Sequence, residues 1–517
     1  MKKIIFLLII ILAVIFFMLN FSSEELSDKS ALNADKQNQA LVVVTPWEIT
    51  SVDPSKSGYI FQRLQLAETL VDVDKDGHLL AGLAESWTVN PTSDQWVFTL
   101  RPNVKFHDGS ILTAEDVVNS LTIALTKPTP LKNAMIKEIK ALDEQHVQFT
   151  LDKPLVIFPA YLSHATTMIF AKSAVKNGEI SEVIGTGPYR VLKIEPPQKI
   201  EQTAFDDYWG DKAKIKQVSY LANSRSETRS LLAQSKPNYL VFNLDPASLS
   251  RLSSDNNLTI QVKPVARTIQ YKVNVKNPLF ADVAVRQALS DAIDREGIVK
   301  SVLRMESGEA EQILPPAFAD WHLNVPHTKP DYPAIKSRLI NLGFEQDANG
   351  MLVKDGKPFQ FTLRTFSDRP ELPIIATALQ NQWKQIGVDM IVSVGNFSEI
   401  PAGHQDGSLE MALYSRYYGM LPDPTAMLLQ DFAPQGADWG VMNWSDNVFT
   451  ETLEALQKTS DEAEQRKLKA KAAEIIYQQK PITAVSFYQT NAVSNKALKG
   501  LELDPFERNF KLNKLSW

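Results

Sequence analysis

Between Ala84 and Val117 the sequence reads AESWTVNPTSDQWVFTLRPNVKFHDGSILTAEDV, and this stretch fixes more of the local fold than any other. Trp87-Thr88-Val89 begins a strand, and Asn90-Pro91-Thr92-Ser93-Asp94 is a turn cluster. Trp96–Leu100 alternates aromatic and β-branched residues as a half-buried second strand does. Lys105-Phe106-His107-Asp108-Gly109 reads as a hairpin turn, with Gly109 supplying a positive φ and His107 at the surface. Thr113 then caps a helix, with Asp116 at the capping-box position.

The chain has 517 residues, too many for one core, so two or more lobes are expected. With 44% apolar and 22% charged residues it is an ordinary globular composition. A net charge of −6 argues against a nucleic-acid partner. The absence of cysteine removes disulfides, thiolate metal sites, cysteine nucleophiles and lipid attachment at an N-terminal cysteine.

Lys2-Lys3 precede an apolar run from Ile4 to Leu19, about 24 Å as a helix against a ~30 Å hydrocarbon core. No A-x-A site follows it: Phe21-Ser22-Ser23 fails, and Leu32-Asn33-Ala34 is distant. Residues 1–21 are therefore a signal peptide with a poor cleavage site or an uncleaved membrane anchor, followed by a polar linker over 22–40. Lys2 and Lys3 favour a cytoplasmic N-terminus, which puts the body outside the cytoplasm.

Elsewhere the pattern is α/β. Strands are expected at Leu41–Val44, His146–Leu151, Gln360–Thr365, Val388–Val394 and Phe487–Asn491, and helices at Gly58–Val71 and Pro373–Ile386. The strand–helix–strand ending at Val394 implies parallel pairing. IGTGPYRV (184–191) places Gly185 and Gly187 where a backbone approaches closely. FDDYWGDKAKIKQV follows at 205–218, and QYKVNVKNPLFADVAVRQALSDAIDREGIV at 270–299, where Asp282 caps a helix and Arg286 is a solvated helix residue. Leu314 to Tyr332 is a Pro-rich loop.

These segments resemble the signatures of the peptide/nickel family (family 5) of extracytoplasmic solute-binding proteins that serve ABC importers. The resemblance covers most of Val42 to Trp517 and implies a two-lobed periplasmic-binding-protein-like α/β fold, with a hinge and an interlobe ligand cleft. Lobe I would span 41–265 and return over 485–517, with lobe II between, at 266–484. The implied protein is a monomer without enzymatic activity or cofactor, whose partners are a small solute and the membrane permease.

The same resemblance bears on the solute. In peptide-binding relatives an Asp three residues before an Asp-Pro pair meets the peptide amine. Here Asp423-Pro424 has Met420 at that place. An ammonium buried without its carboxylate is unfavourable. Ser415-Arg416-Tyr417-Tyr418-Gly419 and RPELP (369–373) resemble the nickel and opine-metallophore branch instead. The implied cargo is a nickel or other metal chelate, or a small peptide-like solute. The alternatives are a di- or oligopeptide carrier, or a membrane-anchored sensor on the same fold. Arg416 suits carboxylates, and Tyr417 and Tyr418 offer hydroxyls and stacking faces. Met420, His164 and Trp444 complete the expected ligand set, while the first-lobe Arg and Trp of nickel-binding relatives have no counterpart in 132–135 or 161–168. His322 and His327 flank the Pro-rich loop at a spacing that makes a poor metal site, and none of the seven histidines forms an H-x-x-x-H pair. No nucleophile elbow, Walker A or G-x-G-x-x-G occurs.

Overall fold

The computed structural model describes residues 40–517 except 368, 370 and 434–436; the N-terminal apolar run lies outside the described residues. No described helix is long and apolar enough to cross a membrane.

A ten-stranded sheet runs through both halves of the chain. Its strands are β1 (Leu41–Thr45), β2 (Tyr189–Glu195), β3 (Lys199–Ala204), β4 (Gln217–Ala222), β5 (Tyr239–Phe242), β6 (Leu258–Val273), β7 (Gln360–Phe366), β8 (Asp389–Gly395), β9 (Met411–Tyr417) and β10 (Ile482–Asn495). The spatial order is β2-β3-β4-β1-β5-β10-β6-β9-β7-β8. β1 lies parallel between β4 and β5, which fits its nearly continuous burial. β7 and β8 pair in parallel, as their intervening helix requires. The two long strands β6 and β10 pair antiparallel almost end to end, with a register break between Pro264 and Thr268. They are the elements common to both halves.

The helices that matter below are α1 (Pro54–Arg63), α2 (Ala114–Thr126), α3 (Pro246–Leu252), α4 (Glu371–Gln385) and α5 (Thr425–Asp431). α1 starts and stops earlier than the apolar spacing predicts. Asp53 caps it, Pro54 opens it, and Gln65 takes a positive φ just beyond its end. In α2 the Asp116 carboxylate accepts from the Thr113 backbone N–H at 2.9 Å and from its hydroxyl at 2.8 Å. Strands 84–89, 95–100, 146–151 and 136–141 form a separate antiparallel sheet packed on α2 through Phe98, Phe149, Val117 and Leu121.

Three of the sequence motifs meet in space. A Cβ on Gly187 would lie 2.1 Å from the Gln65 carbonyl oxygen, and one on Gly185 2.4 Å from that of Leu66, so only glycine lets the two chains touch. Beside them Glu68, half-buried and unmarked by any motif, accepts hydrogen bonds from Thr186, Tyr208 and Trp209 at 2.8–3.0 Å. His107 also joins this junction: its Nε2 lies 2.9 Å from the Gly187 carbonyl, and burial lowers its pKa to about 4. It is half-buried and tied to the junction, which corrects the surface reading. Arg286 is corrected in the same sense. At 4% exposure it donates to the carbonyls of Phe280, Ala281 and Gln479, holding the chain that leads into its helix.

The tail beyond Leu501 packs Leu503, Phe510, Leu512 and Leu515 into the core that holds β1 and β4. The tail thus returns to the first half of the chain.

Candidate ligand-binding site

The break in β6 frees residues 265–267 from regular pairing with β10. Arg267 projects there. Its guanidinium stands 5.0 Å from the Tyr417 ring centre and 5.8 Å from that of Tyr488, and its nearest carboxylate, Glu507, is 3.8 Å away. Arg369, just before α4, places its guanidinium 5.3 Å from the same Tyr488 ring. Two cations therefore converge on one aromatic ring, each contact worth about 0.5–2 kcal/mol according to how far it is desolvated. Burial lowers the Arg267 pKa, with Arg369 contributing in the same sense against the pull of Glu507. The Tyr488 hydroxyl is pushed up by burial and then by the Glu371 carboxylate, while Arg369 and Arg267 pull it down.

Tyr488 also forms one wall of a cleft of about 750 Å³, in the size range of small-molecule sites. One side comes from α3 and the first half of β6, through Leu249, Val262 and Pro264. The other comes from Met305, Glu371 and Phe487. The cleft is thus lined by residues from before β6 and from after it, together with both long strands.

The residues singled out by sequence are placed as follows. Arg416 makes a two-pronged ion pair with Asp431, at 2.7 and 2.6 Å. The Tyr418 hydroxyl donates to Gln270 Oε1 at 3.0 Å, and the residue is wholly buried. The Tyr417 hydroxyl donates to the carbonyls of Phe506 and Gly419, at 2.5 and 2.9 Å, while its ring faces Arg267. His164 caps the turn at 165–167 through its Nδ1, which accepts from the Thr166 N–H at 3.2 Å. Burial, helped by Arg508, lowers its pKa to about 4 and keeps it neutral. Trp444 packs edge-on against Phe432 and Phe449, and Met420 stands 37% exposed. None of the six lines the 750 Å³ cleft, and only Tyr417 reaches the arginine cluster. His322 and His327 do not meet at a common point: they turn to the Leu314 carbonyl and to Glu311.

Sequence reasoning missed Arg267, Glu371 and Tyr488 as site residues. The one available signal was RPELP, which contains Arg369 and Glu371.

Walls drawn from two halves of a chain, joined by a pair of long strands beside a roomy cleft, define a two-lobed binding protein. The family model of bacterial extracellular solute-binding proteins, family 5 Middle, matches residues 78–439, and the chain belongs to that family. It is 24% identical over 466 residues to the dipeptide-binding protein of Escherichia coli K12, covering 83% of this chain and 85% of the relative. It is 26% identical over 419 residues to the nickel-binding periplasmic protein of the same organism, covering 76% and 80%. A solved structure of a nickel ABC transporter from Bacillus halodurans superposes with a TM-score of 0.80 at 25% identity, covering 92% of this chain and 99% of that one. As a family member the chain is an extracytoplasmic solute-binding component of ABC import, and not an enzyme.

Proposed function

We propose that the protein captures a small carboxylate-bearing solute, a metal chelate or a peptide-like molecule, in the cleft beside Tyr488. Its two lobes close about β6 and β10, and the loaded protein docks on a membrane permease. In this reading lobe I is 41–265 with 485–517, lobe II is 266–484, and the apolar N-terminus serves export or anchoring.

The observation that carries the reading is the pairing of Arg267 and Arg369 on Tyr488. Neither guanidinium donates a hydrogen bond among the described residues, and two forked donors suit carboxylate groups. Tyr417 remains in the proposed site as the neighbour of Arg267. Arg416, Tyr418, His164 and Trp444 stand outside it, in contacts of their own.

The test is thermal unfolding of the purified body with nickel–histidine, a ferric aminopolycarboxylate and a panel of dipeptides. A stabilising shift with at least one class is expected. No shift with any carboxylate-bearing solute at millimolar concentration would reject the reading.

A further inference from the structure

We propose that the edge of the large sheet at which β1 begins is a docking surface for an anionic lipid bilayer, and that it seats this end of the body against the membrane. The inference rests on the anchoring reading of the N-terminal run.

Six neighbouring strands begin or end at this edge. Leu41 of β1 stands level with Val218 of β4, and Val42 with Tyr239 of β5. The start of β4 lies against the end of β3 through Gln217 and Thr203, and the end of β3 against the start of β2 through Ala204 and Tyr189. On the other side Leu240 of β5 pairs with Ser494, near the end of β10. At ~4.8 Å per strand the row is about 24 Å wide.

Cations gather along it. Arg190 is the second residue of β2, Lys212, Lys214 and Lys216 lead into β4, Lys236 precedes β5, and Lys496 follows β10; all six are exposed. Ala213 and Ile215 are buried in the core of β1 and β4, which leaves the three intervening lysines outside. Lys216, Lys212 and Arg190 crowd one carboxyl, Asp206, and lower its pKa in that order. Of the acids flanking these strand ends, Asp206, Asp207 and Asp211 already hold Lys216, Lys105 and Lys514. Asp255, just before β6, is the one left outside a pair among the described residues, while Arg190, Lys212, Lys214, Lys236 and Lys496 form no ion pair among them. The far ends of β2 and β3 are built differently: Lys193 pairs with Glu195 and Lys199 with Glu201, each at 2.5 Å. The surplus of positive charge therefore belongs to the edge where the chain enters.

The position of that entry selects the occupant. Ala40 leads into β1, between β4 and β5 and so in the middle of the cationic row. Residues 20–39 separate it from the apolar run Ile4–Leu19, and a chain of that length reaches at most ~70 Å. A bilayer that holds the run keeps this edge within its reach. The intervening segment brings Glu24, Glu25, Asp28 and Asp35 against Lys29 and Lys36, too little negative charge to neutralise the row. The whole chain carries a net −6, so an anionic surface repels the rest of the molecule and attracts this edge, which fixes an orientation. Dispersed phosphate headgroups suit exposed amines spread over such a width, each attracted within a Debye length of about 8 Å.

The experiment uses the full chain reconstituted on vesicles of phosphatidylcholine, or of an equimolar mixture with phosphatidylglycerol. Exposed amines are acylated with a water-soluble reagent and the sites read by mass spectrometry. Lys212, Lys214, Lys236 and Lys496 are expected to react at least about fivefold more slowly on the mixed vesicles than on the neutral ones. High salt should abolish the difference, and Lys384 on α4 should react alike on both. In K212Q/K214Q/K236Q the protection of Lys496 should be lost. Equal rates on the two vesicles overturn the inference and leave anchoring standing, and so does protection of Lys496 that persists in the variant. Equal protection on both vesicles against the detergent-solubilised chain overturns it too, since anchoring alone would then cover the edge. A chain that floats with neither vesicle overturns anchoring and inference together.

Discussion

Arg416 and Asp431 face each other as a forked ion pair, Nε to Oδ2 at 2.7 Å and Nη2 to Oδ1 at 2.6 Å, with the Asp431 side chain 1% exposed. The pair fastens the end of β9 to the end of α5. Burial alone would lower the Arg416 pKa, but the Asp431 charge beside it wins and raises it, so the guanidinium stays charged. Removing one partner of such a pair leaves an uncompensated buried charge, at about 3–5 kcal/mol. R416A is therefore expected to lower the urea-unfolding free energy by that amount. The double replacement R416M/D431L should recover part of it. A loss below about 1 kcal/mol in R416A would show that the pair does not hold the fold.

Glu68 gives the fold a pH dependence. Burial raises its pKa from 4.5 to about 7, against three hydrogen bonds that favour the charged form. Below pH 4.5 both folded and unfolded chains hold the proton. Between 4.5 and about 7 the unfolded chain has released it and the folded one has not, so stability falls as pH rises across that window. The change attributable to this carboxyl is about 3 kcal/mol. Urea midpoints measured from pH 4 to 8 should decline more steeply in the wild type than in E68Q. Identical slopes would remove Glu68 as the cause.

Lys272 acts in the opposite direction. Its ammonium lies 2.8 Å from His404 Nδ1 and 2.7 Å from the Asp438 carbonyl, and burial lowers its pKa to about 7 despite Asp431 and Asp438. Between pH 7 and 10.5 the unfolded chain carries a proton that the folded chain lacks. The contribution is thus complete above 10.5 and is lost as pH falls toward 7. Replacement by Met should flatten the rise in unfolding midpoint between pH 7 and 10. A K272M profile that still climbs like the wild type would refute this assignment.

Local periodicity and turn chemistry made much of the scaffold legible. The strand at His146–Leu151 follows its alternation, and Asp282 caps its helix through the Ala284 N–H. Gly387 takes the positive φ that ends α4, and β7 and β8 pair in parallel. What escaped depended on long-range packing. Glu68 is an unremarkable acid in sequence and becomes central because two separated motifs close over it. Arg286 reads as a surface residue until the carbonyls of Phe280 and Gln479 arrive around it. The site shows the same limit. Arg416 suited a carboxylate, and Asp431, fifteen residues on, supplies one from within the chain. Arg267 sits in a strand that reads as ordinary, and only the register break beside it sets it apart.

Arg369 offers the most direct test of the cleft. It sits on the loop before α4, half-buried, with its guanidinium over Tyr488 and without a hydrogen bond to any described residue. Its removal should cost little stability, because a cation–π contact at such a place contributes about 0.5–1 kcal/mol. A forked bond to a solute carboxylate is stronger, about 1.5–3 kcal/mol, which corresponds to a ten- to hundredfold loss of affinity. R369A is therefore expected to unfold within about 1 kcal/mol of the wild type while binding its carboxylate-bearing solute at least tenfold more weakly. R369K, which keeps the charge and loses the fork, should fall between the two. Calorimetric titration beside urea unfolding separates the two effects. An R369A protein that folds normally and binds with wild-type affinity would exclude Arg369 from the solute contact.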